Sequence, residues 1–492
     1  MGVLKIGMYE QDLTPHGPVL LPGQFYKRVS THVESEVKAA IFACEADGEQ
    51  LIIAGLDATK ISKDLNLGIK AAVAKKCAEI DTDKIIISAT HIHTFPAYAS
   101  KNAGAETLTR INKFFPEDYK YVAAVDNDDY MDPTEYFDML TDLVSDGIVK
   151  AWSRRDTAYI AQEFGRAVVG HSRRVAYNDG TAKMYGIADK ATFDTLESAS
   201  DSGVELLYVF DKDKNPMGAL VNIACPAQVL EHCSFVSSDY WGKARDFVKE
   251  EYNDFVLVPL CAPAGCQSPR DMVRFILPDT LDPNLTRDNV QRPRLTDPDM
   301  YSVEGAVELG ERVSSVVLRK LKSAKDKLVG EAVLKHEVVN CELPIRRVSE
   351  SDKVRAEENI KRYIERLPKK EYDAYDKAAL HEDTGILLRY EEQETMTVIK
   401  PEVHFARLGN VAFASNPFEL FLDYGNRIRA RSHAQQTFLI QLACEAYSYL
   451  PTERAEKASH YSAYVSSGYV GHEGGDMLVY RTLDAIKELF AD

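Results

Sequence analysis

The stretch Ile85-Ile86-Ile87-Ser88-Ala89-Thr90-His91-Ile92-His93-Thr94-Phe95-Pro96 constrains the fold more than any other part of the chain. Three consecutive isoleucines favour an extended backbone, and in a strand the side chains at i and i+2 share one face. The run predicts a strand that carries His91 and His93 towards one site, opened by the polar turn that follows. Imidazole is the commonest neutral metal ligand, and with one ring on a metal its neighbour can meet substrate or solvent. Spacing alone leaves a second reading equally open, a hydrogen-bonded histidine pair closing a strand end.

Several other segments run from an apolar strand into a polar loop, at 205–210, 218–225, 255–260, 410–414 and 437–444. Amphipathic helices are predicted between them at 67–79, 303–325, 352–366, 418–432 and 477–490. Alternating elements of this kind predict an α/β or α+β fold with a mixed-sheet core and surrounding helices. No repeat is visible in the sequence. We read residues 1–492 as a single domain. The Pro-, Asp-, Asn- and Arg-rich stretch 276–300 and the charged stretch 348–394 are a lid or insertions.

A formal charge of −17 opposes binding to phosphate backbones and anionic membranes, so nucleic acid is not an expected partner. No apolar stretch approaches the roughly twenty residues that span a bilayer, and the first residues lack a secretory pattern, so a cytoplasmic location is expected. The eight cysteines are scattered without a C-x-x-C pair and read as reduced thiols. The partner expected is a small-molecule substrate, with oligomeric state left open.

Further motifs give the histidine pair a context. Asp12-Leu13-Thr14-Pro15 and Arg28 precede Ala89-Thr90-His91-Ile92-His93-Thr94, and 220–228 is followed by Ser237-Ser238-Asp239-Tyr240-Trp241-Gly242. Then come Ala264-Gly265-Cys266-Gln267-Ser268-Pro269-Arg270, Ser415-Asn416-Pro417-Phe418-Glu419, Tyr449-Leu450-Pro451-Thr452 and His460-Tyr461. In this order the segments resemble the amino-terminal catalytic domain of the neutral, non-lysosomal ceramidases, in a divergent bacterial branch. The chain ends soon after the tyrosine segment, so no carboxyl-terminal β-sandwich domain is expected.

The resemblance implies a zinc-dependent amidase in which zinc activates water and polarises the scissile carbonyl. It implies His91, Glu419 and Tyr449 as metal ligands, for zinc or another divalent ion, and His93, Tyr461 and Ser268 as catalytic groups. Gly170-His171-Ser172-Arg173-Arg174 resembles a motif of bacterial ceramidase-like proteins. There His171, Arg173 and Arg174 are candidates to hold substrate, with Gln228 and Arg270 beside them; turn stabilisation is the alternative. The expected reaction is hydrolysis of an amide in a small polar or lipid-like substrate. An ester or lactone of a carbohydrate, or metal-free binding on the same scaffold, is the alternative.

Two departures matter. The ceramidase pattern would set a histidine near 226–228, where this chain has Pro226-Ala227-Gln228, and Cys266 stands in place of the motif's aspartate. Three outcomes stay open. Gln228 binds substrate or weakly enters the metal shell, His232 fills the vacancy, or zinc is lost; an amide oxygen is a weaker donor than imidazole. Lesser candidates are an acidic cluster at Asp126, Asp128 and Asp129, and a thiol–imidazole pair of Cys225 and His232.

Overall fold

In a computed structural model of the chain, residues 1–24, 26–100, 113–114, 129–273, 301–366 and 374–491 are described. Three of its sheets repeat one plan that the sequence does not display: an antiparallel hairpin, then a helix, then a strand parallel to the second hairpin strand. In the first, Lys38–Ala46 and Glu49–Leu56 are joined by Asp47-Gly48, both at positive φ, as a two-residue hairpin turn requires. Helix Lys63–Lys76 then crosses to Ile85–Ala89. In the second, Gly203–Phe210 and Pro216–Ile223 lead through helix Asp239–Glu251 to Val256–Cys261. In the third, Glu402–Leu408 and Val411–Ser415 lead through helix Leu422–Arg431 to Gln436–Ile440. Parallel neighbours need such a crossover, because a tight turn cannot reverse the chain twice.

Outer strands complete the sheets: Lys5–Asp12 pairs with Lys38–Ala46, Tyr159–Arg166 with Gly203–Phe210, and Leu334–Asn340 with Glu402–Leu408. The fold is α+β, as the sequence predicts. Ile85, Ile86 and Ile87 are fully buried, facing two separate core clusters in alternation. Burial of an isoleucine side chain stabilises by about 2 kcal/mol, so packing fixes the strand that leads to His91.

The predicted helices at 303–325, 352–366 and 477–490 correspond to Val303–Ala324, Glu350–Arg366 and His472–Leu489. Two expectations shift. Residues 419–420 are not helical: Glu419 and Leu420 pair in parallel with Tyr449 and Leu450, and the helix starts at Leu422. The strand predicted at 437–444 stops at Ile440, because Leu442 and Cys444 take positive φ. Within 348–394, helices Glu350–Arg366 and Ala374–Glu392 pack on a small core of their own, around Ala356, Ile360 and Leu387. The predicted lid at 276–300, Asp126 and Asp128 lie outside the described residues. All eight cysteines are free thiols, and no helix among the described residues is long and apolar enough to cross a membrane.

Candidate functional site

The three parallel pairs end level at Leu56 and Ala89, Ile223 and Cys261, and Ser415 and Ile440. Loops leaving the carboxyl ends of parallel strands are where α/β sheets place ligands, and here six such loops meet. Their backbones are laced together. His91 N donates to Ala58 O, Ala227 N to Thr90 O, Gly265 N to Leu420 O and Glu419 N to Ser448 O. Gln441 Oε1 accepts from both Ala264 N and Leu420 N at 3.0 Å.

His91 leaves its strand at φ +67, a left-handed conformation held by these bonds. Its Nδ1 lies 2.7 Å from the Thr59 carbonyl, which can only accept, so that nitrogen carries the proton. The Nε2 lone pair then faces Glu419 Oε2 at 3.3 Å. With the ring neutral, two acceptors face each other; either a second ring proton or a metal ion between them removes the conflict. Burial opposes charge on the ring, yet Glu419 and the Thr59 carbonyl outweigh it and raise the His91 pKa. Burial likewise acts on Glu419, but His91, Arg173 and Tyr449 hold its pKa below the ordinary value.

His93 packs edge-on against His91, ring centroids 5.0 Å apart. Burial, then His91, Arg28 and Arg173, push its pKa well down, so it is neutral. Its Nε2 is 2.9 Å from the Gln228 amide nitrogen, whose oxygen accepts from Arg173 at 3.4 Å. Arg173 thus orients the amide, the amide donates to His93 Nε2, and the ring proton sits on Nδ1, 4.0 Å from Glu231. Gly23 at φ +94 closes over this ring: a Cβ there would lie 2.4 Å from Nδ1. Arg28 donates to the His93, Pro22 and Cys233 carbonyls, all at 2.7 Å.

Arg173 is the charged centre of the pocket. It donates to Tyr185 OH at 3.2 Å, Gly265 O at 2.9 Å and Tyr449 OH at 3.3 Å. Tyr449 and Tyr461 stack edge-on at 5.6 Å, and burial followed by Glu419 raises the pKa of each, so both phenols keep their protons. Ser268 Oγ lies 3.4 Å from Tyr185 OH and accepts from Arg270 N. Arg270 pairs with Glu231 at 2.8 Å and stacks on Tyr301.

The geometry therefore gathers His91, His93, Arg173, Gln228, Glu419, Tyr449 and Tyr461, with Ser268 and Arg270 on the wall. His171 lies on the short strand paired with the wall, opposite Ser268. Arg174 turns away. Its guanidinium is fully buried, grips Glu197 at 2.9 and 3.0 Å, and donates to the Ser459 and Tyr461 carbonyls. His232 stacks on Tyr301 at 5.1 Å rather than filling the place of the missing histidine. The Cys225 thiol is directed at the Val169 and Pro226 carbonyls. Sequence reasoning assigned no role to Gly23, Thr59, Gln441, Glu231 or Tyr185: the first two act through their backbones, and the side chains of the other three find their partners only in the fold, Tyr185 although it lies within the 170–186 motif.

The donors fit a divalent ion. Bonds of 2.0–2.2 Å to nitrogen and oxygen at tetrahedral angles separate the two ligands by about 3.3 Å, the His91–Glu419 spacing. A ring nitrogen tied to a backbone carbonyl is the usual support for a metal-bound histidine. Tyr449 adds a third donor, its OH in hydrogen-bond contact with Glu419.

No protein-family model matches the chain, and no curated sequence matches it. Solved structures do. A neutral ceramidase from Pseudomonas aeruginosa superposes with a TM-score of 0.65 at 14% identity, covering 99% of this chain and 75% of that one. A ceramidase complexed with C2 gives the same figures. Loops and strands thus take up the architecture of those enzymes with few residues in common, and the chain has the neutral-ceramidase fold.

Proposed function

We propose that this protein is a metal-dependent hydrolase that cleaves an amide bond in a small polar or lipid-like substrate. The observation that carries this reading is the convergence of the His91 Nε2 lone pair, the Glu419 carboxylate and the Tyr449 phenol beside a buried arginine. His91, Glu419 and Tyr449 would hold the ion, zinc or another divalent metal, which when bound supplies Lewis acidity and acidifies water. Arg173 directs a permanent charge at the pocket, where negative charge would develop on the scissile carbonyl oxygen. Tyr461, its proton retained by burial, donates to the same oxygen. Neutral His93, oriented by Gln228 and Gly23, has its one lone pair on Nε2; when the Gln228 amide yields that position to the attacking water, the ring takes up the water's proton and returns it to the leaving amine. Ser268 and Arg270 line the wall against which the rest of the substrate rests.

The reading is tested by turnover of a short-chain N-acylsphingosine and of a small polar N-acyl amine. Product release is followed by mass spectrometry before and after chelation. Chelation should abolish cleavage of at least one of them, and zinc should restore it. Turnover indifferent to chelation and to His91→Ala would overturn the metal-dependent mechanism; a stripped protein that takes up no metal and cleaves neither amide would leave a binding protein.

A further inference from the structure

Outside this pocket, and among the described residues, one group of metal-ligating side chains converges: Glu402, His404 and Cys444, their ligand atoms within 4.8 Å of one another. Glu402 and His404 occupy positions i and i+2 of a strand of the third sheet, on one face. Cys444 arrives from the loop after Gln436–Ile440, its φ at +65 and its N–H bonded to Ile87 O at 2.8 Å. His404 and Cys444 are buried.

A proton count shows what is missing. His336 Nδ1 lies 3.0 Å from the Gln50 carbonyl, which can only accept, so it carries a proton. His336 Nε2 is 3.0 Å from His404 Nδ1, so that link takes the proton of His404. Both neutral rings have then spent their single N–H. His404 Nε2 is left as a bare lone pair, 3.0 Å from Glu402 Oε1 and 3.5 Å from Cys444 Sγ. The thiol hydrogen can cover one of these two contacts and not both. A metal ion covers both with neutral rings, and it makes the His404–His336–Gln50 chain the outer support that metal-bound histidines use. The spacings agree, since bonds of 2.0–2.3 Å at tetrahedral angles hold N, O and S about 3.3–3.7 Å apart.

A second observation points the same way. Asn66, 2% exposed, has an Oδ1 with no hydrogen-bond partner, while its Nδ2 lies 3.4 Å from Glu402 Oε1. The amide meets the cluster through its nitrogen; turned over about its Cβ–Cγ bond, it would present the unused oxygen there as a further hard donor once an ion is present.

We propose that Glu402, His404 and Cys444 form a second metal site, for a thiophilic ion of the zinc class, supported by His336 and completed by Asn66 or water. The choice of ion follows from the donors, because thiolate and imidazole together select zinc over magnesium or calcium. Binding releases the thiol proton to solvent and changes no oxidation state. Lys70 Nζ, 2.7 Å from Glu402 Oε1, competes for that oxygen, so the affinity falls below that of a closed site with four anionic or imidazole ligands. The ion's work is to pin the 441–445 loop. That loop is bonded to the strand before His91 through Ala89 N and Leu442 O at 3.2 Å.

Cobalt titration of chelator-stripped full-length protein tests this, because a cobalt–thiolate bond gives a near-ultraviolet charge-transfer band that nitrogen and oxygen ligands do not. Wild type and His91→Ala should both show the band, and Cys444→Ser should lose it. His336→Phe should keep it with affinity weakened about tenfold or more. Should Cys444→Ser fail to fold, X-ray absorption of cobalt-loaded wild type should find a single sulfur neighbour. Wild type without the band or the sulfur, or a band that survives folded Cys444→Ser, overturns the proposal. Loss of the band in His91→Ala would instead assign the thiolate signal to the first pocket.

Discussion

At His91 one ring nitrogen meets the Thr59 carbonyl and the other Glu419; at His404 one meets His336 and the other Glu402. Both corners set a lone pair against a carboxylate, and they differ in what carries them. His91 stands on a loop leaving the first sheet, and Glu419 and Tyr449 on a two-residue strand pair within the loops leaving the third, beside the loop-borne Gln228 and the partly exposed Tyr185, Tyr461 and Arg270. His404 and Glu402 stand on one strand, fully buried in the case of the histidine, with His336 on its neighbour. Loops at strand ends can admit a substrate and adjust to it. Strand residues held on both sides cannot, so on the proposed readings the same arrangement would serve chemistry in the first corner and, with Cys444 brought in from a loop, anchorage in the second.

The largest expected effect separates these jobs. His91→Ala should lower kcat/KM by about a thousandfold, the scale of several kcal/mol lost with a metal's stabilisation of the transition state. Its own ion's linkage to folding is lost as well, so activity is what separates the two jobs. Cys444→Ser should leave turnover within about threefold while removing the second ion's linkage to folding. That linkage is worth about 3 kcal/mol when the free ion stands at a hundred times its Kd. Turnover assays and calorimetry on the two variants read this difference directly; equal losses of activity would erase the distinction between the corners.

A similar magnitude attaches to one side only, through pH. Asp239 opens its helix at φ +55, accepts from Leu230 N and Tyr240 N at 2.8 Å, and so holds the 228–231 wall of the first pocket. Burial raises its pKa to about 6 from 3.8. The folded chain therefore binds this proton more tightly than the unfolded one. The stability it lends is full below the unfolded pKa and is lost as pH rises through about 6, by about 3 kcal/mol in all. Urea unfolding at pH 4 and pH 7 should show this slope in wild type and not in Asp239→Asn. Cobalt–thiolate absorbance, reporting the other corner, should not follow it.

How much of this is legible in sequence depends on distance along the chain. His91 and His93 are two residues apart behind three isoleucines, and strand periodicity alone sets them on one face. Glu402 and His404 have the same spacing, but nothing in the sequence ties them to Cys444, forty residues on, or to His336 across the sheet. The three hairpin–helix–strand units likewise share topology without a shared motif, because any β-branched or aliphatic residues serve their buried strands. Arg173 and Arg174 illustrate the limit within one dipeptide: alternation sends one guanidinium into the pocket and the other to Glu197. Glu419 was legible through its motif, whereas its pairing with Tyr449 required the two loops to be seen side by side.

The smallest effect concerns Gln228, at the position where the ceramidase pattern would set a histidine. Gln228 faces His93 and Arg173, and its amide is neutral, weak as a ligand and committed to both neighbours. Gln228→His would put an imidazole where the amide now stands, adding a stronger donor but freeing Arg173 and losing the orientation of His93. Stability should change little, since the volumes are close and the position is buried among polar groups. Metal affinity in the pocket should rise by about tenfold, the scale on which a changed supporting contact acts. Turnover should fall at the same time, because His93 no longer has a partner to fix its proton on Nδ1. Competition with a chromophoric chelator, measured beside kcat, separates the two. If affinity rises and turnover rises with it, Gln228 is simply a lost ligand; if turnover falls while affinity rises, the glutamine is part of how this pocket positions its base.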